Sequence, residues 1–124
     1  MTDNKNELFR ISTLEQHDGL ISATLHINKD CEIFNGHFPG QPVIPGACML
    51  QIVKEVLENA LATSVRLKKA DHLKFIVMID PATTQTVQLD LSYKPSDENA
   101  LLVTGKIITG NVVSFKFQGT FTRE

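Results

Sequence analysis

The chain carries 124 residues, 12 basic against 14 acidic side chains, a net charge of −2 and a pI near 6.1. With 42% hydrophobic and 21% charged residues it is composed to fold, and its length suits one domain, 1–124, with one core and no room for a deep private pocket. The slight acidic excess leaves no basic face for nucleic acid, and no window approaches the roughly 18 apolar residues of a membrane span.

In chain order, Met1–Glu7 is polar and lacks the apolar heart of a signal peptide. Two cysteines, Cys31 and Cys48, form no CxxC and no disulfide-dense pattern, so a reduced, soluble, cytoplasmic protein is expected. Leu8–Thr13 is a first strand candidate. Ile21, Ala23, Leu25 and Ile27 alternate with Leu20, Ser22, Thr24 and His26, giving a clearer one.

From about Gly46 to Thr63 the pattern turns helical. Ala47, Met49, Leu50, Ile52, Val53, Val56, Leu57, Ala60 and Leu61 cover well over half the circumference, and Gln51, Lys54, Glu55 and Glu58 form one narrow polar stripe. A helix with so little polar surface has to be wrapped, and five or six strands are available to wrap it. Leu73–Ile79 reads as a buried strand closed by Asp80-Pro81. Thr86–Tyr93, Ala100–Thr109 and a last segment with Val113, Phe115, Phe117 and Phe121 on one face read as further strands. Their turns are supplied by 94–99 and by Gly110-Asn111. The order β–β–α followed by strands makes an α+β domain with one central helix.

The stretch 35–46 stands apart. Three of the five prolines and three of the seven glycines fall within it, and alternating the two builds a stiff irregular loop. It holds His37 and runs through Pro45-Gly46 into the helix start, where unpaired N–H groups and the positive dipole end suit carbonyl chemistry. On spacing alone, a structural loop with a bystander histidine accounts for it equally well.

Gly36-His37-Phe38-Pro39-Gly40-Gln41-Pro42-Val43-Ile44-Pro45-Gly46 resembles the G-H-F-P-x-x-P-x-x-P-G signature of β-hydroxyacyl-acyl-carrier-protein dehydratases. Weaker similarity extends over nearly the whole chain, with Phe75 and Pro81 at a family strand phenylalanine and turn proline. The resemblance implies the hot-dog fold, an antiparallel sheet wrapped around one long helix. It also implies a homodimer whose tunnels combine groups from both protomers, with higher oligomers or a heterodimer with a paralogue as variants. The implied reaction removes water from a (3R)-hydroxyacyl thioester, carried on acyl carrier protein or coenzyme A, to give a trans-2-enoyl thioester in fatty-acid or related biosynthesis. It needs neither metal nor organic cofactor. By the same resemblance His37 is the base and the N–H of Gly46 polarises the thioester carbonyl. Phe38, Pro39, Pro45, Leu50 and Phe75 belong to the loop or the acyl pocket.

One position departs from the pattern. The family's helix-borne Glu or Asp maps onto Gln51, and the Gln it carries one turn later maps onto Glu55. The residue types are exchanged across i and i+4, which share a helix face. Either Glu55 serves as the alternative acid, or the site is an impaired, binding-only one paired with an active paralogue, or the two residues belong to a solvated stripe. A thioesterase on the same fold is a third function, disfavoured by the H-F-P loop.

Other candidates read more plainly. His17 and His26 are expected at the surface, and His72 beside Asp71 lacks companions for a metal site. Cys48 lies in the first helical turn, where a thiol pKa can fall, but packing is the expected role. Arg66, Lys68, Lys69 and Lys74 form a basic cluster that is either a docking patch for an acidic carrier protein or a solvated charge run.

Overall fold

A computed structural model describes residues 7–34, 43–97 and 99–123. Strands β1 (Phe9–His17) and β2 (Leu20–Ile27) are followed by a single 3₁₀ turn (Glu32–Phe34) and helix α1 (Gly46–Leu61). Strands β3 (Val65–Phe75), β4 (Thr86–Pro95), β5 (Ala100–Thr109) and β6 (Val112–Arg123) complete the chain. The six strands form one antiparallel sheet in the order β1-β2-β4-β5-β6-β3, so β1 and β3 are its edges. This is the hot-dog arrangement.

Period-two alternation decides which side of each strand meets α1. Ala23 and Leu25 of β2, Val87, Leu89 and Leu91 of β4, Val103 and Ile107 of β5, and Phe115, Phe117 and Phe121 of β6 are all buried. Against them α1 buries Met49, Ile52, Val53, Val56 and Leu57. Asp18 and Gly19 both take positive φ in the two-residue β1–β2 turn, a conformation that Asp-Gly favours.

Helix α1 stops at Leu61 rather than Thr63, because Ala62 enters the left-handed region at φ 54° and its N–H bonds the carbonyl of Glu58. The Glu58 carboxylate also accepts from the N–H of Val65, at 2.9 Å, and from Lys54 Nζ, at 3.3 Å. One residue therefore closes the helix and anchors the start of β3.

Two expectations fail. Leu73–Ile79 is not a buried strand: β3 begins at Val65 and ends at Phe75, and Ile76, Val77 and Met78 are exposed at 43%, 41% and 77%. Val113 does not share the face of Phe115, Phe117 and Phe121, and Ser114 beside it is fully buried. Both have one cause. Ile107 faces Phe115 while Ile108 faces Val113, so Ser114 is the extra residue of a β-bulge. Its hydroxyl turns to that of Thr109, and its carbonyl takes the N–H groups of both Ile76 and Val77. The β3–β6 ladder ends there.

Among the described residues no helix is long and apolar enough to cross a membrane. Phe115→Ala should cost about 3–5 kcal/mol in a denaturant titration, as expected for an aromatic emptied from a packed core. Leu20→Ser, at an exposed position, should stay within about 0.5 kcal/mol of the parent.

Candidate active site

His37, Phe38 and Pro39 lie outside the described residues, so the site is built from α1 and what surrounds it. Pro45 is the N-cap, with extended backbone at φ −62° and ψ 150°, and its carbonyl accepts from Cys48 and Met49. Among the described residues, neither a side-chain cap nor an acidic residue in the first turn neutralises this helix end. Its positive end therefore remains available to a partly negative oxygen.

Gly46 is fixed by packing. A Cβ at this position would stand 2.8 Å from the tip of the Phe75 ring, closer than atoms tolerate. Phe75 in turn leans on Phe115, with ring centroids 5.2 Å apart and planes tilted by 34°. The β3 phenylalanine thus lies over the first residue of α1 while half its surface stays open. The two residues entered as candidates for separate roles, the carbonyl donor and the acyl pocket, and the fold sets them against each other.

One turn deeper, the Nε2 of Gln51 donates to Oε2 of Glu55 at 2.8 Å. Both side chains are exposed and open into a cavity of about 450 Å³. Glu7 and Glu32 line this cavity as well, so among the described residues three carboxylates and one amide converge with no basic side chain in the lining. Glu32 sits on the 3₁₀ turn that precedes His37 in the sequence. Glu7 and Glu32 went unread in the sequence because nothing in their spacing links them to the helix. Leu50 is half-buried against the core and does not line this cavity.

Cys31 and Cys48 are free thiols on the same cavity. Burial pushes the Cys48 thiol up from its ordinary range, and the neighbouring Cys31 adds to the effect. Lowering by the helix dipole is therefore overruled by desolvation.

The four residues of the basic cluster all lie on β3. Arg66, Lys68 and Lys69 occupy the irregular first half of β3, where the pairing with β6 slips at Leu67/Lys69 and again at Ala70/His72. Lys69 pairs with Asp71 at 3.3 Å. Lys74 instead stands opposite Lys116 on β6. His17 is exposed with its Nε2 3.1 Å from the Asp18 carboxylate, and His72 is exposed on β3.

The profile of the ApeI-like family, described as ApeI dehydratase, matches residues 13–119. The chain belongs to the ApeI-like dehydratase family. It is 25% identical over 117 residues to the 3-hydroxyacyl-[acyl-carrier-protein] dehydratase FabZ of Fusobacterium nucleatum, covering 90% of this chain and 82% of that enzyme. The dehydratase heterocomplex ApeI:P of Xenorhabdus doucetiae superposes with a TM-score of 0.78 at 20% identity, covering 93% of this chain and 98% of that one. The thioesterase HI1161 of Haemophilus influenzae shares the fold at a TM-score of 0.64 and 14% identity, over 94% of this chain and 78% of that one. Membership of a dehydratase family agrees with the reading of the H-F-P loop, and the thioesterase likeness is one of fold.

Iodoacetamide should label Cys48 of the native protein more slowly than a free cysteine at neutral pH. The rate should go on rising with pH beyond the range where a free thiol has levelled off, which mass spectrometry of the labelled peptide would follow.

Proposed function

We propose that this ApeI-like dehydratase eliminates water from a (3R)-hydroxyacyl thioester, held on acyl carrier protein or coenzyme A, with Glu55 as the displaced acid. The hydrogen bond from Gln51 to Glu55 carries the reading. The amide that replaces the family's acid does not stand alone, since it grips a carboxylate one turn away and fixes its orientation. In this scheme His37 takes the α-proton and the N–H of Gly46 receives the charge that builds on the thioester oxygen. Glu55 gives a proton to the departing β-hydroxyl, so water leaves and the trans-2-enoyl thioester remains. An α-proton of a thioester is far too weak an acid for a histidine unaided, so the uncapped helix end has to supply the stabilisation. A role in fatty-acid or related acyl-chain synthesis follows from this chemistry, in a single domain spanning 1–124.

The working unit in this proposal is a dimer. The last part of the edge strand β3 exposes Leu73 and Phe75, and the segment just after it exposes Ile76, Val77 and Met78. The other edge is different. β1 carries exposed Ser12, Thr13, Glu15, Gln16 and His17 and is broken by an irregularity between Ile11 and Thr13. An apolar edge invites a second strand, whereas a polar and bulged one resists it. The heterocomplex formed by the similar ApeI:P of Xenorhabdus doucetiae favours a heterodimer with a paralogue as the second reading.

Spectroscopy with 3-hydroxybutyryl thioesters of both carriers should show enoyl absorbance appearing without free thiol. Glu55→Gln and His37→Ala should each lower kcat by about 10²–10⁴, with Gln51→Ala milder. Full activity in Glu55→Gln would remove the displaced acid, and thiol release would indicate hydrolysis instead. Met78→Asp with Phe75→Asp should sediment as a folded monomer lacking activity. An active monomer would refute the shared site.

A further inference from the structure

We propose that Cys31 and Cys48 form a redox-sensitive pair that a small-molecule disulfide converts into an intramolecular bridge, closing the cavity beside Glu55. The bridge itself is independent of the elimination chemistry above, and only its effect on turnover rests on that reading.

The two thiols meet from opposite sides of the 35–46 segment. Cys31 precedes it and is held by its backbone, whose N–H donates to the Asn28 carbonyl and whose carbonyl accepts from Phe34, each at 3.1 Å. Cys48 follows it on the first turn of α1, with its N–H on the Pro45 carbonyl at 3.0 Å. Both side chains line the same cavity of about 450 Å³, Cys31 buried and Cys48 half-buried. Negative charge on Cys31 opposes negative charge on Cys48, as it does between neighbouring sulfurs.

Their surroundings suit a bridge better than the other uses of paired thiols. A metal ion would need further ligands, and among the described residues no group of three His, Cys, Asp or Glu side chains is placed to hold one. A nucleophilic thiolate needs a lowered pKa, whereas burial acts on Cys48 in the opposite direction. With no thiolate stabilised, the reduced pair has no electrostatic advantage over the disulfide.

The exchange runs in two steps. The half-buried Cys48, as thiolate, attacks one sulfur of the small disulfide, breaks its S–S bond and releases one thiol. Cys31 then attacks the Cys48 sulfur of the mixed disulfide and expels the second. One S–S bond is lost and one is gained. Two protein sulfurs are oxidised, two small-molecule sulfurs are reduced, and the protons of both cysteines leave on the released thiols. Glu7, Glu32 and Glu55 line the cavity, so a neutral or cationic disulfide enters it more readily than an anionic one.

Cys48, Gln51 and Glu55 follow one another at i, i+3 and i+7, on one face of α1. A bridge at Cys48 ties that face to the residue in front of the 3₁₀ turn. It also closes a ring of chain, 31–48, that contains His37. Oxidation therefore constrains the proposed acid and the proposed base together.

The test equilibrates the full chain with 2-mercaptoethanol and its neutral disulfide, once native and once unfolded in urea. Peptide mapping by mass spectrometry without reductant then measures the bridged fraction. A bridge needs Cα atoms within about 7 Å, so the native fold should raise the effective concentration of the pair about tenfold or more over the unfolded chain. Cys31→Ala and Cys48→Ala should each abolish the linked peptide. Cystamine should oxidise the native pair faster than glutathione disulfide, with the gap narrowing as salt rises. In the elimination assay the bridged protein should lose about tenfold or more in kcat and regain it with dithiothreitol, while neither variant responds to oxidant. No native advantage over the unfolded chain would overturn the pair, and so would links formed only between chains. Unchanged turnover after complete bridging would overturn the closure of the cavity. If the reduced protein shows no turnover, the elimination fails, while a native advantage in bridging still upholds the pair.

Discussion

The structure depends on one helix being covered by one sheet. α1 presents apolar side chains around most of its circumference, and Met49, Ile52, Val53, Val56 and Leu57 are almost wholly removed from water. No second helix shares the task among the described residues, so the sheet must curl and present a large, continuous inner face. The three phenylalanines of β6 supply much of its bulk, and the alternation of β2, β4 and β5 supplies the rest. A sheet of six strands does not close around the helix. What stays uncovered lies at β3, where Leu73 and Phe75 are oriented like core residues yet remain open.

That geometry explains what could be read from the sequence. Leu20–Ile27 and Ala100–Thr109 coincide with β2 and β5, because undisturbed alternation in a half-buried strand has little other meaning. β3 was illegible for the opposite reason. Its two register slips, around Lys68 and Asp71, break the parity on which such a reading relies. The apolar run 73–79 then looked like core, since hydrophobicity does not say whether a residue is covered by its own chain or by another. The exchange of Gln51 and Glu55 was visible as an i, i+4 pair, and their hydrogen bond follows from that spacing. The convergence of Glu7 and Glu32 on the same cavity was not, because it arises from the return of the N-terminal segment past the 3₁₀ turn.

The two ends of α1 are stabilised in different ways. Its start is held by proline and by the Phe75 ring over Gly46, and no side chain among the described residues caps its N–H groups. Its finish is heavily bonded through Glu58, which satisfies the last turn and the first residue of β3 together. A firm C-terminal anchor keeps the helix and the edge strand in fixed relation. The N-terminal end can therefore stay electrostatically unsatisfied without loosening the fold. Carbonyl chemistry needs that combination of rigidity and unspent polarity.

Ser114 shows how one extra residue in a strand decides what the neighbouring sheet edge exposes. Because its carbonyl takes both Ile76 and Val77, the edge strand halts at Phe75, and the apolar residues beyond it leave the ladder. Removing this single residue would restore even pairing between β5 and β6 and offer β3 a longer template. Residues 76–78 would then be drawn into alternation, with side chains sent to opposite faces. In a lineage built on this fold, gaining or losing one residue at a strand bulge can redraw the surface by which chains meet while every neighbouring side chain is kept. Partner choice in such proteins can drift through insertions and deletions well before it shows in substitutions.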